Sequence, residues 1–167
     1  MVKKISFSLI FFISILFLKA QTYQFKVLSS ENTNIYPYIY SLHQDSLGYL
    51  WIGTGDGLFL YDGNTLNSFP LTFISGDNFI SASALNNKGI SYLGLNNGTI
   101  AYRINQKFYL LKESLQFKST ITQLTFHNNE LLAAVQNKGI FRIVNNQVQK
   151  NPILLPNIQT YCFLIID

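Results

Sequence analysis

From residue 39 onward, short β-prone runs alternate with clusters of Asn, Asp and Gly, and the alternation itself recurs. Each cycle opens on a strand-like segment: Ile39-Tyr-Ser-Leu42, then Ile80-Ser-Ala-Ser-Ala84, then Ile121-Thr-Gln-Leu124. A turn follows at Asp45-Ser-Leu-Gly48, Asn86-Asn-Lys-Gly89 and, more weakly, His127-Asn-Asn-Glu130. These residue types suit turns because Gly and Asn reach positive φ cheaply and Asx side chains bond nearby amides. Next come the apolar runs Tyr49-Leu-Trp-Ile52, Ile90-Ser-Tyr-Leu93 and Leu131-Leu-Ala-Ala134, each leading to a glycine at 57, 98 or 139. A turn glycine followed at once by β-branched or aromatic residues predicts a hairpin. A further turn then leads to a fourth short segment, Leu66 to Phe69 in the first cycle.

Gly57, Gly98 and Gly139 are 41 residues apart, as are Ile39, Ile80 and Ile121. Segments 39–69, 80–110 and 121–151 therefore align without a gap, and under that alignment Tyr92 and Ala133 stand where the first unit has Trp51. Likewise Leu95 and Gln136 replace Thr54. Four short strands per unit of about 41 residues is the composition of one β-propeller blade. The predicted fold is all-β: a partial propeller of about three four-stranded blades plus the start of a fourth. A β-sandwich has similar strand spacing but does not require three units in one register.

The chain begins differently. Lys3 and Lys4 precede the apolar run Ile5 to Leu18, with Lys19-Ala20-Gln21 after it. That order predicts a secretory signal peptide over residues 1–20, because the apolar run is shorter than the roughly 20 residues a bilayer-spanning helix needs. An uncleaved N-terminal anchor is the alternative, and either places the remainder outside the cytoplasm, periplasmic or extracellular. The leader also explains the charge. The net +4 includes Lys3, Lys4 and Lys19, and without them nine basic residues face eight acidic ones. With no basic cluster left, nucleic acid is not an expected partner. Cys162 is the only cysteine, so an exported chain of this kind holds its fold by core and ladders, not by an internal disulfide.

Residues 21–34 contain a strand-like segment, Tyr23 to Leu28, outside the three units. The propeller is expected over 35–167, with a partial fourth blade from about residue 158 that includes Thr160 to Asp167. Propellers close with four to eight blades, so the expectation is that this is the front of a longer protein whose remaining blades are its partners.

The stretch from Ile39 to Gly63 resembles the two-component regulator propeller repeat. The family's Asp-x-x-Gly turn, Leu-Trp-Ile-Gly-Thr strand and Gly-Leu pair are matched by Asp45, Gly48, Leu50 to Thr54 including Trp51 and Gly53, and Gly57 with Leu58. The later units depart from it at the positions of Trp51 and Thr54. The resemblance implies an extracytoplasmic ligand-sensing module of sensor or hybrid histidine kinases, often responding to carbohydrates, with a membrane helix and signalling domains downstream. The rival reading is a secreted or surface scaffold for protein–protein interaction, without a kinase. The motif residues themselves read as framework: Trp51 as inter-blade packing, Gly53 and Gly57 as close approach and positive φ.

Reactive chemistry is not expected. Gly53-Thr-Gly-Asp-Gly57 lacks the spacing and the following helix of a phosphate loop. His43, His127 and Cys162 form no metal-ligand pattern, and the two histidines read as surface or turn residues. No nucleophile elbow is present. The segment is read as non-enzymatic, with no cofactor and no metal. A small molecule or oligosaccharide would bind where loops gather on one face, and the exposed aromatics offered for it are Tyr36, Tyr38 and Phe79.

Overall fold

The computed structural model describes residues 38–71, 78–105, 107–149 and 161–165. The predicted signal peptide, the strand at 21–34, Tyr36 and residues 158–160 lie outside them. Among the described residues twelve strands form three antiparallel four-stranded meanders. The first is β1 (Ile39–Gln44), β2 (Leu50–Thr54), β3 (Gly57–Tyr61) and β4 (Leu66–Phe69). The second is β5 (Ile80–Leu85), β6 (Ser91–Leu95), β7 (Ile100–Ile104) and β8 (Lys107–Leu110). After a 3₁₀ turn at Lys112–Gln116, the third is β9 (Ile121–His127), β10 (Glu130–Val135), β11 (Gly139–Val144) and β12 (Gln147–Val148).

The sheets stack face to face with their first strands adjacent, β5 packing against both β1 and β9. Apolar side chains fill the two seams between them, the second sheet burying one face in each: Leu93 and Leu95 in the first, Tyr92 and Ile100 in the second. Trp51, Leu58, Ile80, Leu93 and Leu95 form the core of the first seam. Tyr92, Ile100, Phe117, Ile121 and Leu131 belong to that of the second. This is an arc of propeller blades, and the seams, not the individual sheets, hold the hydrophobic core.

The strand pairing refines the gapless alignment. Each first strand carries the same bulge: Ile39 pairs Thr54 and Ser41 pairs Gly53, Ile80 pairs Leu95 and Ala82 pairs Gly94, Ile121 pairs Val135 and Gln123 pairs Ala134. The counterparts of Thr54 are thus Leu95 and Val135, and those of Trp51 are Tyr92 and Leu132, where the sequence alignment gives Gln136 and Ala133. The cause is the turn after β9. Only Asn128 and Asn129 separate the paired ends His127 and Glu130, both with positive φ (47° and 64°), whereas five residues separate Gln44 from its partner Leu50. Positive φ at both central residues is the tight two-residue hairpin. The turn between the second and third strands also varies, with two residues between Thr54 and Gly57 and three between Val135 and Gly139. Gly98, which donates to Leu95 O at 3.1 Å, is still in its turn, while Gly57 already begins β3. Following the pairs outward, Arg103 occupies the sheet position of Tyr61 in the first blade and Ile143 in the third.

The bulge positions show why Gly53 and Gly94 are glycines. A Cβ on Gly53 would lie 2.5 Å from Ile80 Cγ2, and one on Gly94 would lie 2.5 Å from Ile121 Cγ2. The next blade's first isoleucine therefore crosses where a side chain would be, and Ile80 and Ile121 are fully buried there.

Candidate functional site

The turns after the first and third strands of each blade lie at one end of the arc. Tyr38 and Phe79, which precede β1 and β5, lie at the other. Tyr38 is exposed, and Phe79 is half-buried with its ring 4.5 Å from that of Tyr40. The two sequence candidates inside the described residues are not brought to one pocket.

At the turn end each seam opens into a cleft, and the two clefts occupy equivalent places. In the first seam Asp45 is buried and organises its turn, its Oδ1 accepting the amides of Leu47 and Tyr49 at 3.0 Å each. Its Oδ2 accepts the Trp51 indole N–H at 2.9 Å and Arg103 Nη1 at 3.0 Å. The Arg103 guanidinium lies over the Trp51 ring, 4.4 Å from its centroid. Phe69 and Phe108 meet the same ring edge-on at 5.1 and 5.8 Å. Burial pushes the Asp45 carboxyl upward, but the hydrogen bonds from Trp51, Arg103 and the two amides outweigh it and hold it below the usual carboxylate range. The motif residues Asp45, Gly48 (φ 88°), Trp51, Gly53, Thr54, Gly57 (φ 127°) and Leu58 all sit in this seam or its turns. Thr54 Oγ1 closes the β2–β3 turn, donating to Gly57 O at 2.9 Å and accepting Asp56 N at 3.1 Å. The cleft that remains is about 190 Å³.

His43 belongs to the same seam and is no surface or turn histidine. Half-buried, it bridges the blades through Nδ1 to Ser83 Oγ at 3.1 Å and Nε2 to Ser91 Oγ at 2.9 Å. Burial lowers its pKa to about 4, against a raising effect of Asp45 and with a smaller lowering one from Arg103.

In the second seam the frame is kept and the filling is reduced. Asn86 replaces Asp45 and makes the same turn, its Oδ1 accepting Lys88 N at 3.0 Å and Ile90 N at 2.8 Å. That leaves its Nδ2 donor in the place of Asp45 Oδ2. Tyr92 replaces Trp51, Ile143 replaces Arg103, and Val148, the pair of Ile143, replaces Phe108. Each is smaller than its counterpart, and the resulting cleft is about 400 Å³, within the range of small-molecule sites. Its apolar wall is Ile90, Leu131 and Ile143, with Tyr92 and Phe126 in edge contact at 5.2 Å. Its polar lining is Asn86, Asn87, Asn129, Asn145 and Asn146, and Lys88 is its one charged residue. Asn87 Nδ2 donates to Asn129 Oδ1 at 2.8 Å and the Tyr92 hydroxyl donates to Asn146 Oδ1 at 3.1 Å, so both blades are tied across it. Burial, with Tyr102 nearby, raises the Tyr92 pKa and keeps the phenol a neutral donor. Amides that both donate and accept, beside aromatic and aliphatic surface, match a neutral polyhydroxylated ligand. Sequence reasoning missed the cleft because its residues come from three turns of two blades. The available signal was the Asn pairs 86–87, 128–129 and 145–146 at the turns of one end.

Among the described residues no three His, Cys, Asp or Glu side chains gather to hold a metal, and no helix is long and apolar enough to cross a membrane.

The stacked meanders define a β-propeller, and solved structures bear this out. The chain is similar to the Dos1 propeller (13% identity, 75% of this chain and 40% of that one, TM-score 0.55). It is also similar to Saccharomyces cerevisiae Sqt1 (18%, 69% and 35%, TM-score 0.50). A further likeness is to the extracellular domain of the putative hybrid two-component system BT4673 from B. thetaiotaomicron (17%, 72% and 22%, TM-score 0.37). The chain thus spans 40% or less of the length of each of these solved chains. Residues 34–56 match the family model for the two component regulator propeller, so the first blade carries a repeat of that kind. No curated protein matches.

Proposed function

We propose that this chain is an extracytoplasmic, non-catalytic ligand-sensing propeller segment of a two-component signalling protein, and that its ligand is a neutral saccharide held in the cleft between the second and third blades. The repeat at 34–56 supports the signalling context, and the signal peptide expected from the sequence at 1–20 supports the location. The observation that carries the ligand is the asparagine-lined cleft of about 400 Å³ beside Tyr92 and Phe126. It presents amide donors and acceptors without a carboxylate, and carbohydrate rings need both hydroxyl partners and apolar surface.

Saturation-transfer NMR against neutral cello-, xylo- and malto-oligosaccharides tests this. A bound sugar should lose affinity by about tenfold or more, roughly one strong polar contact or above, when Asn129 and Asn145 are changed together to Gly, which keeps their positive φ (64° and 50°). Absence of transfer from every neutral sugar, or binding indifferent to those changes, refutes the ligand assignment. The scaffold alternative draws on the exposed apolar residues Tyr38, Ile39, Tyr40 and Leu42 of and beside β1. The coding sequence downstream separates the two: a membrane span followed by a kinase supports sensing.

A further inference from the structure

We infer that Arg103 is an internal plug, filling in the first seam the place that a ligand takes in the second, and that the residue pair 45/103, or 86/143, determines which seam is open. The ligand part of this rests on the reading of the second cleft given above.

The two clefts share one construction. Asp45 and Asn86 cap equivalent turns through the same pair of Oδ1 bonds. Trp51 and Tyr92 rise from the same strand position, paired with His43 and Ala84. What differs is the side chain arriving from the following blade. In the first seam it is Arg103, whose flat guanidinium covers the Trp51 ring and bonds the carboxylate beneath it. In the second it is Ile143, which has no polar group and forms part of the cleft's apolar wall. The space is about 190 Å³ where the guanidinium lies and about 400 Å³ where it does not.

The plug is also imperfectly matched to its place. Arg103 Nε is buried without a hydrogen-bond partner, although the side chain is mostly enclosed. A donor left unmade is a cost, offset here by stacking on the indole and by Asp45. The guanidinium therefore behaves as a planar, hydrogen-bonding body lying on an aromatic ring beside an Asx side chain. A sugar ring is puckered, but it too lays an apolar C–H face on an aromatic ring and carries hydrogen-bonding groups at its rim, without the charge. Where neither guanidinium nor carboxylate is present, between Asn86 and Ile143, the ring of Tyr92 is left to a neutral occupant.

Trp51 is the only tryptophan, so its fluorescence reports the first seam alone. The double variant D45N/R103I gives that seam the residues nature places in the second. Acrylamide quenching of Trp51 should increase about twofold or more, with an unchanged far-UV spectrum, once the ring loses its cover. An added neutral oligosaccharide should then alter Trp51 emission in the variant and not in the parent. Conversely, N86D/I143R should fill the second cleft and weaken saccharide binding by at least about tenfold. If D45N/R103I does not fold, R103Q, shorter but able to bond Asp45, gives the same quenching test.

Unchanged Trp51 quenching in the folded variant overturns the plug, as does parental sugar affinity in N86D/I143R. If the parent binds no neutral sugar while quenching still rises, the ligand class fails and the plug stands.

Discussion

His43 is held neutral between two serine hydroxyls, and this makes the first seam sensitive to acid. In the unfolded chain an exposed histidine protonates near 6.5; in the seam burial lowers that to about 4. The unfolded state therefore binds the proton first, so the contribution to stability is complete above 6.5 and is lost as the pH falls toward 4. The full difference is about 3 kcal/mol, and by pH 5 about 2 kcal/mol should be gone. Asp45 and Arg103 are the charges that act on the ring. The Asp45 carboxyl is held below its usual range, so its own contribution fails only at lower pH. Urea denaturation at pH 7.5 and 5.0 measures the loss, with His43→Ala as comparison, since alanine stands at the equivalent position 84. The variant will be less stable at pH 7.5, because Ser83 and Ser91 lose their partner, but the pH-dependent loss should shrink to a few tenths of a kcal/mol. An equal loss in both proteins, or an NMR midpoint for His43 near its ordinary value, refutes the assignment.

Trp51→Ala removes an almost fully buried ring that touches Phe69 and Phe108 and donates to Asp45. Chemical denaturation should show a loss of about 3–5 kcal/mol. Gly94→Ala places a methyl 2.5 Å from Ile121 Cγ2 and should cost about 1–3 kcal/mol by overpacking. Combining it with Ile121→Ala should be less destabilising than the two losses added; strict additivity would show that the groups do not meet. Gln123 grips Phe163 at both backbone groups, donating to its carbonyl at 3.0 Å and accepting its amide at 2.6 Å. In Gln123→Ala, hydrogen exchange at the Phe163 amide should accelerate severalfold or more, in line with two lost bonds of about 1 kcal/mol each, while exchange in β6 stays unchanged.

Much of the blade was legible because strand and turn preferences act locally. Asp45 and Asn86 each marked a turn, and both cap it as Asx residues do. The glycine triplet was equally visible, yet the gapless alignment it suggests misplaces β7 and β10 by one residue each. Gly57 begins a strand while Gly98 is still in its turn, and the Asn128–Asn129 turn is shorter than its counterparts. These differences are offset within a constant period, so a sequence comparison registers no gap. Pairing partners are set by hydrogen bonds between strands, which no single-residue preference records.

The same limit governs the site. His43 looked unremarkable because both its partners lie 40 or more residues away, at Ser83 and Ser91. Other long-range contacts share the spacing of 40: Ser81 Oγ donates to Ile121 O at 2.7 Å, and Gln123 meets Phe163. These seam contacts keep their spacing while their chemistry changes from imidazole to hydroxyl to amide. A stack of this kind fixes backbone distance through small residues such as Gly53 and Gly94 and leaves the seam side chains free to vary. Arg103 and Ile143 are the clearest instance, since one position closes a cleft in the first seam and leaves it open in the second. Function in such a repeat is therefore carried by the differences between equivalent positions, and those positions can be paired only once the strand register is known.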